Sequence, residues 1–148
     1  MLLFLVLSTF FALSASQKCL LSDPGETGGL SDADFWAGVD GKELIEELTD
    51  DTHDKFVSEN DKVFILYYMP KCPHCKKVAK PFGGAAKKMN DSVKFGGVDC
   101  VTQEKACAVE NHPVEGCPTF YLFKGGEWND EYTGKRTTDG FVRYLKKK

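Results

Sequence analysis

Six consecutive residues, Val63-Phe64-Ile65-Leu66-Tyr67-Tyr68, are β-branched, apolar or aromatic, with no polar residue alternating among them. A strand of that composition has no face to turn to water, so it demands a place inside a sheet covered on both sides. Met69-Pro70-Lys71 breaks the run, and Cys72-Pro73-His74-Cys75 follows at once. Proline suits the first turn of a helix, where its missing N–H costs nothing, and Lys76 to Met89 continues with helix-compatible residues. A buried strand thus delivers the chain to a helix that begins at a cysteine.

Two thiols one helical turn apart suit reversible disulfide chemistry. Cys72 would be the attacking sulfur and Cys75, one turn further in, the less exposed resolving thiol. The amide N–H groups and positive dipole of a helix N-terminus favour an anion there, and so a thiolate. His74 and Lys71 flank Cys72 and add donor or cationic character. A Cys-x-x-Cys pair also forms half of many structural zinc sites, but the second Cys-x-x-Cys or His-x-His that such a site uses is absent from the sequence. The strand, proline and helix signals around the pair favour redox chemistry, with neither metal nor other cofactor.

Met1 to about Ser16 is apolar and ends in small residues, as a secretory leader does, with Ser14-Ala15-Ser16 as a cleavage site before Gln17 and a cut after Ser14 as the alternative. The run lacks a basic n-region and is too short to span a bilayer. Its removal leaves about 132 residues, enough for one core. All six cysteines lie beyond it, consistent with an oxidising compartment. A formal charge of −3 argues against a general nucleic-acid or anionic-membrane binder, and Lys146-Lys147-Lys148 reads as a solvated helix end.

Residues 17–41 read as an irregular, Gly-, Ser- and Asp-rich arm with Phe35 and Trp36 as docking anchors. Strands are expected over 44–48, 63–68, 93–98, 119–123 and 127–132, the last two joined at Gly125-Gly126. Helices are expected from the Thr49–Thr52 cap candidates to about Ser58, over 73–89, over 103–110 and over 137–147. Phe64, Tyr67, Phe82, Phe95, Phe120 and Phe123 read as core, and His53 and His112 as surface or loop residues without a role. Alternating strands and helices, then a hairpin and a last helix, indicate an α/β sandwich.

The segments Tyr68-Met69-Pro70-Lys71-Cys72-Pro73-His74-Cys75-Lys76-Lys77, Val98-Asp99-Cys100, Val114-Glu115-Gly116-Cys117-Pro118-Thr119 and Tyr132-Thr133-Gly134-Lys135-Arg136-Thr137 occur in that order. On these four motifs the chain resembles a thioredoxin-like domain of the protein disulfide isomerase family from about Leu44 to Lys148. The resemblance implies a thioredoxin fold, a central mixed β-sheet flanked by helices over 42–148, behind an N-terminal arm over 17–41 and a signal peptide over 1–16. It implies a thiol–disulfide oxidoreductase, extending to isomerase activity, on cysteine-containing client proteins of the secretory pathway. The compartment would be the endoplasmic reticulum lumen or the exterior, with glutathione or another thiol–disulfide partner and no membrane insertion. No Lys-Asp-Glu-Leu type signal closes the sequence, so retention and secretion both stay open. The Pro-His dipeptide also resembles that of the bacterial periplasmic disulfide oxidants, which implies an oxidising bias.

By the same resemblance Cys72 and Cys75 form the redox-active disulfide and His74 tunes it. Pro118 is the cis-proline that, with Cys117, meets substrate; Arg136 is the mobile arginine that approaches the resolving thiol; and Cys100 and Cys107 close a structural disulfide, adding roughly 2 to 3 kcal/mol by constraining the unfolded chain. Departures stand beside these agreements. Leu66 occupies the place of a buried glutamate that relays protons, Lys71 that of a tryptophan, Pro81 is displaced by one position and followed by Gly83-Gly84, and about two extra residues fall near Glu110–Pro113. Cys117 replaces a residue that is normally not a thiol. It could be a third redox partner for Cys72, a partner for Cys19 of the arm, or a small buried thiol without a role. Two other classes remain: a secreted binding or effector protein in which catalysis is secondary, and a metal held by Cys72, Cys75 and Cys117 between chains.

Overall fold

The structure is a computed structural model that describes residues 35–148; the expectations for residues 1–16, for Cys19 and for the arm up to residue 34 lie outside it. Five strands, β1 (Ile45–Leu48), β2 (Lys62–Tyr68), β3 (Lys94–Asp99), β4 (Thr119–Lys124) and β5 (Glu127–Glu131), form one sheet in the order β1-β3-β2-β4-β5. β1 and β2 run parallel to β3, and β4 runs antiparallel to β2 and to β5. The helices are α1 (His53–Glu59), α2 (Pro73–Met89), α3 (Glu104–Cys107) and α4 (Thr138–Lys147). This is the thioredoxin fold expected from the motifs.

β2 occupies the middle and alternates between two cores. Phe64, Leu66 and Tyr68 face one packed cluster with Cys75, Phe82, Ala86, Phe120, Leu122, Phe141 and Leu145, which places α2 and α4 on that side. Val63, Ile65 and Tyr67 face the other, with Val57, Val98, Ala106, Tyr121 and Phe123, which places α1 and α3 there. The six residues of the run are all 2% exposed or less. Burial at about 25 cal/mol per Å² of apolar surface makes this strand the chief hydrophobic anchor of the domain.

The aromatic pair preceding the sheet is part of the core. Phe35 stacks on Tyr68 with ring centroids 3.8 Å apart, and Trp36 meets Tyr68 and Phe82 at 5.5 and 6.3 Å. Gly96 and Gly97 of β3 make room for such packing, since a Cβ on Gly97 would lie 2.7 Å from the Trp36 ring and one on Gly96 would lie 2.7 Å from Leu48. On α2, Pro81 lies inside a continuous helix, and the Thr138 hydroxyl donates to its carbonyl at 3.1 Å. Gly83 lets the backbone of the preceding segment approach: an added Cβ would meet the Asp40 carbonyl oxygen at 2.4 Å.

Several expectations need correction. α3 ends at Cys107 instead of Glu110 because the Val114 N–H takes the Cys107 carbonyl at 3.1 Å and Asn111 adopts φ 61°, which no α-helix accommodates. Thr52 does not cap α1 with its side chain; its hydroxyl accepts the Thr49 N–H at 2.8 Å instead. His53 is no surface residue. It is buried, with Nε2 sharing a hydrogen bond with the Tyr67 hydroxyl and Nδ1 one with Asp54, both at 2.8 Å. His112 lies in the loop before β4 and stacks on Trp128 at 3.5 Å.

Two outcomes follow from this packing. Gly83→Ala gains helix propensity but forces a carbonyl out of contact, so it should cost about 1 to 3 kcal/mol in urea unfolding. Burial, then the fields of Tyr121 and Asp54, raise the Tyr67 phenol well above its ordinary range, and burial chiefly pushes Tyr121 up to about 12. A phenol raised in the folded state contributes stability that is complete below about pH 10, where the unfolded chain would begin to ionise, and that is lost as pH rises through the folded value. Stability should therefore fall steeply above about pH 10, with phenolate absorbance at 295 nm growing together with loss of near-ultraviolet circular dichroism. Complete ionisation of all five tyrosines in a still folded protein would contradict it.

Candidate active site

β2 ends at Tyr68, the Cys72 N–H donates to the Met69 carbonyl at 3.0 Å, and the Cys72 carbonyl accepts the Lys76 N–H at 3.1 Å. That last bond is the first of α2, which makes Cys72 the N-cap, in extended geometry at φ −72° and ψ 120°. Its side chain makes no capping hydrogen bond, so the sulfur is not used to hold the helix end. Pro73 occupies the first helical position, and the first turn contains no acidic side chain to offset the positive dipole end. The sulfur expected to attack therefore sits where an anion is best accommodated.

Burial separates the two thiols of the motif. Cys72 is half-buried, whereas Cys75, one turn into α2, is 0% exposed in the core under the helix. A substrate sulfur can reach the first and not the second. Leu66 lies in that same core, in register with Gly97 and Phe120, so the interior beside Cys75 is apolar where the family's glutamate would stand.

The second wall comes from the strand order. Tyr67 pairs with Thr119 across β2 and β4, and continuing this antiparallel register sets Cys117 against Met69, three residues before Cys72. The Cys117–Pro118 bond is cis, and the Thr119 hydroxyl donates to the Gly116 carbonyl at 2.6 Å to close the turn. Pro118 is buried and Cys117 half-buried, packed against both cores, and Cys72 packs against the core that holds Cys75. The fold thus gathers Cys72, Cys75, Cys117 and Pro118 at the carboxyl ends of β2 and β3, the edge at which open α/β sheets place their sites.

Other candidates are placed differently. His74 is exposed on the first turn of α2 and Lys71 is exposed just before Cys72. Arg136 is exposed in the connection between β5 and α4, without an ion pair or side-chain hydrogen bond among the described residues. Cys100 and Cys107 form a disulfide across 5.7 Å between their Cα atoms, tying the end of β3 to α3 on the face opposite α2. Among the described residues no three His, Cys, Asp or Glu side chains are grouped as metal ligands would be, and no helix is long and apolar enough to cross a membrane.

With this geometry in view, the comparisons agree with one another. The thioredoxin family model matches residues 44–147. The chain is 38% identical over 103 residues to the probable protein disulfide-isomerase ER-60 of Schistosoma mansoni, a match covering 67% of this chain and 21% of that protein. It is 33% identical over 143 residues to protein disulfide-isomerase A3 of Gallus gallus, covering 97% and 23%. The chain spans about a fifth to a quarter of the length of these curated relatives. The solution structure of the first thioredoxin domain of mouse protein disulfide-isomerase A4 superposes with a TM-score of 0.63 at 26% identity, covering 83% of this chain and 86% of that one. The zinc-bound form of human ERp44 gives 0.65 at 21% identity, over 70% and 31%, a likeness of fold alone. A helix that begins on one cysteine and buries the next, beside a cis-proline at the sheet edge, thus coincides with the matched span, and the chain belongs to the thioredoxin family as a thioredoxin-like domain of the protein disulfide isomerase group.

Proposed function

We propose that this chain is a thiol–disulfide oxidoreductase, with isomerase activity as its extension, acting on cysteine-containing proteins of the secretory pathway. The observation that carries the proposal is the unequal burial of two thiols at one helix start: Cys72 only partly buried at the N-cap, Cys75 enclosed one turn away. The Cys72 thiolate attacks one sulfur of a substrate disulfide. A bond forms between Cys72 and that sulfur, and the other substrate sulfur leaves as a thiolate that takes up a proton. Cys75 then loses its proton and attacks the Cys72 sulfur, closing the Cys72–Cys75 disulfide and releasing the second substrate thiol. Two electrons have passed from the protein to the substrate; run backwards, the same steps oxidise a client. Glutathione or another thiol–disulfide couple would return the protein to its starting state.

The surrounding residues have assigned parts in this scheme. The cis Cys117–Pro118 bond presents backbone to an extended substrate segment, in the manner of an added strand. His74, exposed beside the attacking sulfur, supplies a donor, and Arg136 approaches the resolving thiol during turnover. Leu66 denies Cys75 a buried carboxylate, so its proton leaves through water, which slows the resolving step. The apolar start of the sequence and the Cys100–Cys107 disulfide support residence in an oxidising compartment, the endoplasmic reticulum lumen or the exterior.

A second class, a binding or effector protein in which catalysis is secondary, draws on Leu66 and Lys71, which stand where family members carry groups that aid turnover. Substitution separates the two. Cys72→Ser should lower dithiol-driven insulin reduction at least about a hundredfold, since it removes the nucleophile. Cys75→Ser should instead accumulate disulfide-linked substrate complexes on non-reducing gels, because nothing displaces the substrate from Cys72. Insulin reduction unaffected by Cys72→Ser would overturn the enzymatic function.

A further inference from the structure

The charge on α2 is one-sided. The helix carries five lysines, Lys76, Lys77, Lys80, Lys87 and Lys88, and no aspartate or glutamate, although the whole chain has a formal charge of −3. The two lysines near its C-terminus are balanced, Lys87 by Asp40 at 2.8 Å and Lys88 by Asp139 at 3.1 Å. Lys76, Lys77 and Lys80 are exposed and form no ion pair among the described residues. Positive charge at the start of a helix opposes the dipole, so the arrangement costs helix stability and gains nothing inside the domain.

Its position is informative. Cys72, Lys76 and Lys80 fall at i, i+4 and i+8, one stripe along the helix, while Cys75, Val78, Ala79 and Phe82 form the buried side. Side chains on a helix lean toward its N-terminus, so the stems of Lys76 and Lys80 point along the stripe toward the N-cap sulfur. Exposed Lys71 and His74 extend the basic surface around the same atom.

We propose that this stripe selects substrates: the site prefers disulfides flanked by acidic residues, with Lys76 and Lys80 as specificity-determining residues and Lys77 adding to their field. The proposal rests on the exchange chemistry above and names the class of client that it serves. Fixed charges beside a reactive group raise the encounter rate of oppositely charged partners by about tenfold or more at low ionic strength, and salt removes the gain.

The experiment uses three disulfide-linked peptides with the same cysteine and with glutamate, glutamine or lysine at the flanking positions. The second-order rate of their reduction by the dithiol protein is followed by stopped-flow fluorescence. At 0.01 M salt, where the screening length is about 30 Å, the glutamate peptide should react about tenfold faster than the glutamine peptide and the lysine peptide slowest; at 1 M, where it is about 3 Å, the three should converge. K76E/K80E should bring the glutamate-to-glutamine ratio to about 1 or lower. K42E/K94E makes the same change of net charge at the opposite end of the parallel strands and should keep the wild-type ratio. Each ratio is internal to one protein, so a loss of folded material does not imitate the result. Equal rates at low salt, or an equal shift in both double variants, overturn the preference alone. A protein that reduces none of the peptides overturns the exchange chemistry, and the preference with it.

Discussion

Everything in this domain is arranged around a strand with no free side. β2 is hydrogen-bonded to β3 on one edge and to β4 on the other, and its side chains alternate into two cores. The rigidity matters most at its end. The turn after Tyr68 has only three residues before Cys72, so the position of the sulfur is inherited from the sheet and from the helix that follows, with little loop to blur it. β4 enters from the opposite direction, and the cis bond before it falls beside that turn because the strands are neighbours. Two segments 45 residues apart in sequence thereby meet, one after a short turn from β2 and the other at the end of the longer connection from α3 to β4.

What could be read along the chain was what is local. The unbroken apolar run, the proline after a cysteine and the mostly helix-compatible residues over 76–89 are short-range signals, and β2 and α2 fall where they predict, with Pro81 and Gly83-Gly84 accommodated inside the helix. The cis-proline and the disulfide partners were reached through motif resemblance, since no spacing rule fixes either. The length of α3 was not legible because a residue seven positions further on takes the carbonyl at its end. His53 gave no local signal because its buried hydrogen bond is to a hydroxyl 14 residues away, on a strand that reads as an apolar and aromatic run. The lysines of α2 were in plain view, but their imbalance shows only once Asp40 and Asp139 are seen to neutralise the distal two.

The site also shows how a fold shared across a family leaves room for local difference. The backbone course that presents Cys72 and encloses Cys75 needs only the strand, the proline and the helix. Leu66, Lys71 and Cys117 change the chemistry around that course without altering it: an apolar interior beside the resolving sulfur, a cation before the attacking one, and a third sulfur at the cis bond.

Phe35 and Trp36 lie upstream of the span matched by the thioredoxin family model, which begins at residue 44. Their rings nonetheless cover Tyr68 and Phe82, and Tyr68 is the last rung of the strand that aims Cys72. A recombinant fragment trimmed to residues 44–147 would uncover a tyrosine at the root of the reactive turn and leave bare the groove over Gly97. It would bring an aromatic-sized gap, of the order of 3 to 5 kcal/mol, into the one place where slack is least tolerable. The working unit of this protein is therefore longer at its front than the family model alone would draw it.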